Sequence, residues 1–264
     1  MAIIEKSISS LPDLVEEVLE VSATLPDKHF LWFRGLSKET HKLLPKIMRD
    51  GKTITAVEER EQRLLARFRQ RSVAYWKEGY GQDAWDHMFA MQHYGLPTRL
   101  LDWSENLMVA AFFALYNQDL SEENSECRPL LWCLDPVSWN RSTPSLSGYG
   151  DTIHVLTTVN EEADAYKPLT VKKRIKYPVA IFGSHNSERI VAQRGTFFVW
   201  GNDSRSLEDF AESEVGCSLW KFRLDAKPAE FFQDIQRLGF TETMIFPEMT
   251  YLAEELSRME GWRE

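Results

Sequence analysis

Gln92-His93-Tyr94-Gly95-Leu96-Pro97-Thr98-Arg99-Leu100-Leu101-Asp102-Trp103-Ser104 crowds polar and titratable side chains between two apolar segments. Pro97 forces the residue before it into extended backbone, so 98–101 reads as a strand. Asp102-Trp103-Ser104-Glu105 has capping-box spacing, an acceptor followed three residues later by Glu. The helix it opens is expected to run to about Tyr116, and 83–92 upstream reads as another. Polar groups at the ends of such elements are where ligand sites are commonly built.

Working outward, 11–22 is spaced for an amphipathic helix ended by Pro26. Residues 29–33 read as a short buried strand stopped by Gly35. A long helix is predicted over 55–76, with Leu64, Leu65, Phe68, Tyr75 and Trp76 on its apolar face. Arg60, Arg63, Arg67 and Arg71 follow helical spacing on another face. Residues 130–134, 179–182, 196–200 and 219–224 are strand candidates, and 229–238 and 247–259 are helices. The stretches 117–129, 140–151 and 201–216 read as loops, and 188–195 as a polar turn. No linker divides the chain. The expectation is an α+β protein in a single domain, 1–264, with mixed or antiparallel sheets flanked by helices.

Composition narrows the function. Hydrophobic residues make up 43% and aromatics 12%, with nine Trp, enough for a large core. A formal charge of −9 argues against general adhesion to nucleic acid or anionic lipid, though not against a local basic groove. Cys127, Cys133 and Cys217 are too few for a disulfide framework or a four-cysteine zinc site, so no metal is expected. The longest apolar run, 107–116, is about half a membrane span, and residues 1–10 carry Glu5 and Lys6 rather than a signal-peptide core. A cytoplasmic protein is expected.

Three clusters carry the candidate chemistry. In Phe33-Arg34-Gly35 the guanidinium fork suits a phosphate or carboxylate, and Gly35 allows close approach. The structural alternative is Arg34 clamping Asp102. In the 92–104 stretch His93 is either a proton donor or hydrogen-bonding contact, or a satisfied buried His. Asp102 has a capping role open to it, and Ser104 has no general base beside it in sequence. In Glu188-Arg189-Ile190-Val191-Ala192-Gln193-Arg194-Gly195-Thr196-Phe197, Glu188 suits acid–base or oxocarbenium-stabilising work, while Gln193 can only hydrogen-bond. The alternative is a solvated turn. The Arg60 to Arg71 stripe and Lys172-Lys173-Arg174-Ile175-Lys176 could meet nucleic acid or a nucleotide phosphate, although Glu58, Glu59 and Glu61 favour an ordinary solvated helix face. No Walker loop, G-x-G-x-x-G, G-x-S-x-G or H-E-x-x-H motif occurs.

In this order the three clusters, with Ile245-Phe246-Pro247-Glu248-Met249 and the helix around Val109-Ala110-Ala111-Phe112-Phe113-Ala114, resemble the FRG-domain family over about 29–258. That resemblance implies a bacterial cytosolic effector or accessory protein, set in defence against phage. The arrangement is more loosely similar to ADP-ribosyltransferases, which implies that family's fold and NAD as substrate. Carried over, Arg34 holds the pyrophosphate or ribose, Ser104 supports it, and Gln193 stands where the catalytic Glu is found, with Glu188 as the carboxylate that substitutes. Phe33, Gly35, Gln92, His93, Tyr94, Thr98, Arg99, Asp102 and Arg189 then line the ligand. Two readings follow: NAD cleavage or ADP-ribosyl transfer, or a non-catalytic module that binds a nucleotide, nucleic acid or phage component and regulates a partner protein.

Overall fold

A computed structural model describes residues 3–76, 81, 83–118, 120, 128–170, 175–184, 187–225 and 227–262. Cys127 and the basic run 172–174 lie outside them. The strands are β1 (Ile3–Ile8), β2 (Trp32–Leu36), β3 (Leu100–Ser104), β4 (Leu130–Leu134), β5 (Val179–Ile181), β6 (Gly195–Val199) and β7 (Leu219–Leu224). The α-helices are α1 (Leu11–Ala23), α2 (Ile54–Ser72), α3 (Ala84–His93), α4 (Leu107–Leu115), α5 (Pro136–Ser142), α6 (Glu188–Gln193), α7 (Leu207–Ser213), α8 (Pro228–Arg237), α9 (Glu242–Ile245) and α10 (Met249–Met259).

All seven strands form one sheet in the order β1-β7-β4-β2-β3-β6-β5. Only β1 and β7 run parallel; every other neighbouring pair is antiparallel. Helices cover both faces. Trp32, Trp103, Trp132 and Phe198 build the core on one side, while Phe33, Leu131, Cys133 and Phe222 meet α4 on the other. The α+β class with helix-flanked, mostly antiparallel strands is therefore as the sequence implies. Its strands share a single sheet.

Several boundaries differ from the expectation. Strand β2 does not stop at Gly35 but runs through Arg34 and Gly35 to Leu36. Gly35 is small because α4 crosses it: a Cβ there would lie 1.9 Å from the Ala110 carbonyl oxygen. The cap of α4 is Asn106, whose side chain accepts from the Met108 and Val109 amides, so Asp102 is free to sit mid-strand. The expected turn at 188–195 is instead α6, capped by Ser187 and closed by Arg194 in the left-handed region at φ 47°. Helix α7 lies within the expected loop 201–216, α5 runs into the expected loop 140–151 as far as Ser142, and β1 was not foreseen.

Helix α2 buries Val57, Glu61, Leu65 and Ser72, whereas Tyr75 lies beyond it and is 86% exposed. A carboxylate on the inner face needs a partner, and Arg99 supplies it. Arg99 is 0% exposed; its Nε donates to Glu61 at 2.7 Å, Nη2 to the Tyr166 carbonyl at 2.8 Å, and Nη1 to the Trp200 carbonyl. Removing one member leaves a charge buried without its counterion, which costs about 3–5 kcal/mol. Glu61→Ala or Arg99→Leu should each lower unfolding free energy by about that much in a denaturant titration. The double apolar replacement E61M/R99M should cost less than the two single changes added together.

Candidate functional site

Strands β2 and β3 pair at one position only, Phe33 with Ser104. Where they share no further pairing, the Arg34 guanidinium enters and Nη1 donates to the Asp102 carbonyl. A cavity of about 360 Å3 opens there. Arg34, Gln92, Asp102 and Gln193 give it polar walls, and Val109, Ala110, Phe113 and Phe246 apolar ones. Phe33, Gly35, His93, Ser104 and Arg189 also line it, so all three sequence clusters meet in one place.

Arg34 keeps part of its surface open to the cavity while its guanidinium is enclosed. Burial pulls its pKa down to about 10; the Asp102 carboxylate acts in the opposite sense and Arg49 adds to the depression. It is cationic at neutral pH. Its Nε is buried with no hydrogen-bond partner, and a buried donor of this kind is expensive unless something bonds to it. Beside it the Asp102 side chain accepts from Gln92 Nε2 at 2.8 Å. Gln92 is held from behind by the Thr98 hydroxyl, which donates to its Oε1 and accepts from the Leu100 amide at 3.0 Å.

Other candidates are committed to the framework. The Ser104 hydroxyl donates to the Gln193 carbonyl at 2.7 Å and accepts from the Asn106 amide at 2.9 Å, pinning α6 to the turn before α4. Gln193 Nε2 donates to the Ile245 carbonyl at 3.1 Å. Thr98 is buried behind Gln92, and Arg99 is locked to Glu61 in the core, away from the cavity. Arg99 is therefore not among the residues that line the cavity.

Glu188 is exposed and lies outside the inner cavity. It lines an adjoining groove of about 590 Å3 together with Phe68, Tyr75, Trp76, Tyr94 and Glu248. His93 and Arg189 belong to both cavities. Arg189 is held at this boundary by Glu248, at 2.6 and 2.8 Å, and lies 5.0 Å from the Phe246 ring centre. Phe246, Pro247 and Glu248 were legible only as part of a matching tail; their role as a wall comes from the packing of Phe246 on Tyr116 and Tyr251. Among the described residues no cluster of three or more His, Cys, Asp or Glu is placed to hold a metal, and no helix is long and apolar enough to cross a membrane.

Residues 29–123 match the model of the FRG domain. The matched segment carries Arg34 and the whole 92–104 stretch, hence the floor of the cavity, while Arg189, Gln193 and Phe246 come from outside it. No curated protein and no solved structure matches the chain.

The half-buried His93 ring has its pKa lowered by burial, with Arg189 adding to the effect and Glu248 and Asp102 opposing it. A folded-state pKa below the unfolded value means that the folded state takes the proton less readily. The associated stability is present above the ordinary His range and is lost as pH falls through about 6.5. His93→Gln should flatten that limb of the stability-against-pH curve relative to the parent. In a thermal melt Gly35→Ala should lose about 1–3 kcal/mol or more, because the obstruction is helix backbone.

Proposed function

We propose that the inner cavity binds one nucleotide-sized portion of a phosphate-bearing ligand of the NAD class. The observation that carries this reading is Arg34: a half-buried, cationic guanidinium lining the cavity floor, anchored through Nη1 to the Asp102 carbonyl. A phosphate would match that charge and the geometry of the guanidinium fork. Asp102 and Gln92 suit the opposite requirement, accepting from or bonding to ribose hydroxyls or an amide. At about 360 Å3 the cavity lies near the small end of the range of ligand pockets, which fits half of a dinucleotide. In this reading the protein is a cytoplasmic effector or accessory protein in defence against phage, the setting that the FRG resemblance implies.

Binding without chemistry is the leading form of the proposal, because Ser104 and Gln193 are occupied in holding the framework and Glu188 is outside the cavity. One observation favours a catalytic form. Asp102 places a carboxylate in the inner cavity, and a carboxylate can stabilise the ribosyl cation formed when the bond between ribose carbon and nicotinamide nitrogen breaks and the electron pair leaves with nicotinamide. Asp102, rather than Glu188 or Gln193, would carry that role.

Calorimetric titration with NAD, nicotinamide mononucleotide and ADP-ribose, read alongside nicotinamide release, tests both forms. Arg34→Ala should weaken binding at least tenfold while the protein stays folded by circular dichroism. Should Asp102→Asn abolish nicotinamide release yet retain binding, the catalytic form holds. Absence of binding by all three ligands to the parent protein sinks the proposal.

A further inference from the structure

The 590 Å3 groove is not explained by the inner cavity. Tyr75 and Tyr94 line it and are 86% and 71% exposed, although aromatic rings of this size ordinarily bury much of their area. Tyr94 is set beside His93, ring centres 4.7 Å apart and nearly perpendicular, so its orientation is defined. Phe68 and Trp76 back the groove, with their own rings 6.4 Å apart and the Trp76 indole donating to Ser72. The result is an aromatic slot with a fixed wall on one side.

Charge is distributed around this slot in a particular way. On α2, Arg60 pairs with Asp50 and Arg63 lies 3.6 Å from Glu59. Further along the same helix Arg67, Arg69 and Arg71 are exposed and make no ion pair among the described residues. These three sit in the turns that carry Phe68 and Ser72, both of which line the groove, and lead to Tyr75. Glu188 supplies an exposed acceptor within the groove itself. Basic side chains flanking stacking rings, with an acceptor for a base amino group, are the elements of single-strand nucleic-acid recognition. A chain of net charge −9 needs such a local arrangement to hold a polyanion at all.

We infer that this groove binds a single-stranded nucleic-acid segment. A base stacks against Tyr75 and Tyr94, its exocyclic amino group donates to Glu188, and the neighbouring phosphates lie along Arg67 and Arg71, which share one side of α2. The bound base ends at His93 and Arg189, the residues shared with the inner cavity. The inference deepens the nucleotide reading by naming the partner on the acceptor side, and it rests on that reading only for the two cavities working together; the groove's own residues carry the rest.

Fluorescence anisotropy with labelled single-stranded DNA and RNA octamers, run against salt, tests it on the full chain. Affinity should fall with salt along a log–log slope of about −1.4 to −2.1, as two or three phosphate contacts give for single strands. Tyr75→Ala and Tyr94→Ala should each weaken binding about fivefold or more, the factor that losing one stacked base costs at the low end. Both side chains are largely exposed, so unchanged melting temperatures should accompany the loss. R67Q/R71Q should flatten the salt slope. Arg34→Ala should leave octamer binding within about twofold, so that a failed nucleotide pocket and a failed groove give different results. Absence of octamer binding by the parent protein overturns the inference. So does octamer binding insensitive to both tyrosines, or a tyrosine effect confined to NAD, which would make the groove the seat of the ligand's second half.

Discussion

The buried pair of Arg99 and Glu61 is the constraint on which the site depends. Arg99 directly precedes β3, and its three hydrogen-bonding nitrogens reach α2, the end of β6 and the segment around Tyr166. Fixing that residue fixes the register of β3, and β3 delivers Asp102 to the cavity and Ser104 to its latch. A buried ion pair contributes little net stability compared with apolar packing. Here its value is positional: it joins elements that would otherwise meet through apolar contacts, which restrain rotation and sliding less strongly.

Counting which polar groups are satisfied separates framework from site. Thr98 and Ser104 each donate one hydrogen bond and accept another within the protein, and a hydroxyl bonded on both sides has little left to offer a ligand, while Gln193 spends its Nε2 on the Ile245 carbonyl. Arg34 has a donor spare, and Asp102 presents its carboxylate to the cavity with Gln92 as its described partner. The distinction cannot be made from residue type. Ser and Gln look more versatile than Arg in a motif, yet they are the ones committed to structure here.

Much of this was legible in the sequence, and the failures have specific causes. The strand over 130–134 is a continuous apolar run, as buried strands read, while 219–224 alternates Lys221 and Arg223 with apolar residues, as a strand with one exposed face does; both match the expected bounds. Asp102 was misread as a cap because an Asp followed three residues later by Glu satisfies the capping pattern whatever the backbone does. The chain instead continues as a strand for two more residues, since β6 pairs with all of β3, and Asn106 caps the helix. Glu61 looked like part of a solvated acidic face because its partner, Arg99, lies 38 positions away, beyond the reach of any helical-spacing argument. Helix α6 was missed because it spans only six residues, too few to show periodicity.

The site is larger than the segment that matches the FRG-domain model. Residues 29–123 supply Arg34, Gln92 and Asp102, which set the polarity of the cavity floor. The opposite wall comes from α6 and from the segment joining α9 to α10, held together by Arg189 with Glu248 and by Gln193 with the Ile245 carbonyl. Phe246 completes it by packing between Phe113, Tyr116 and Tyr251, which ties the C-terminal helices to the matched segment. Without that wall the cavity that Arg34 lines would be an open surface. The cavity faced by the most informative side chain in the matched segment is thus closed by residues more than a hundred positions downstream of it.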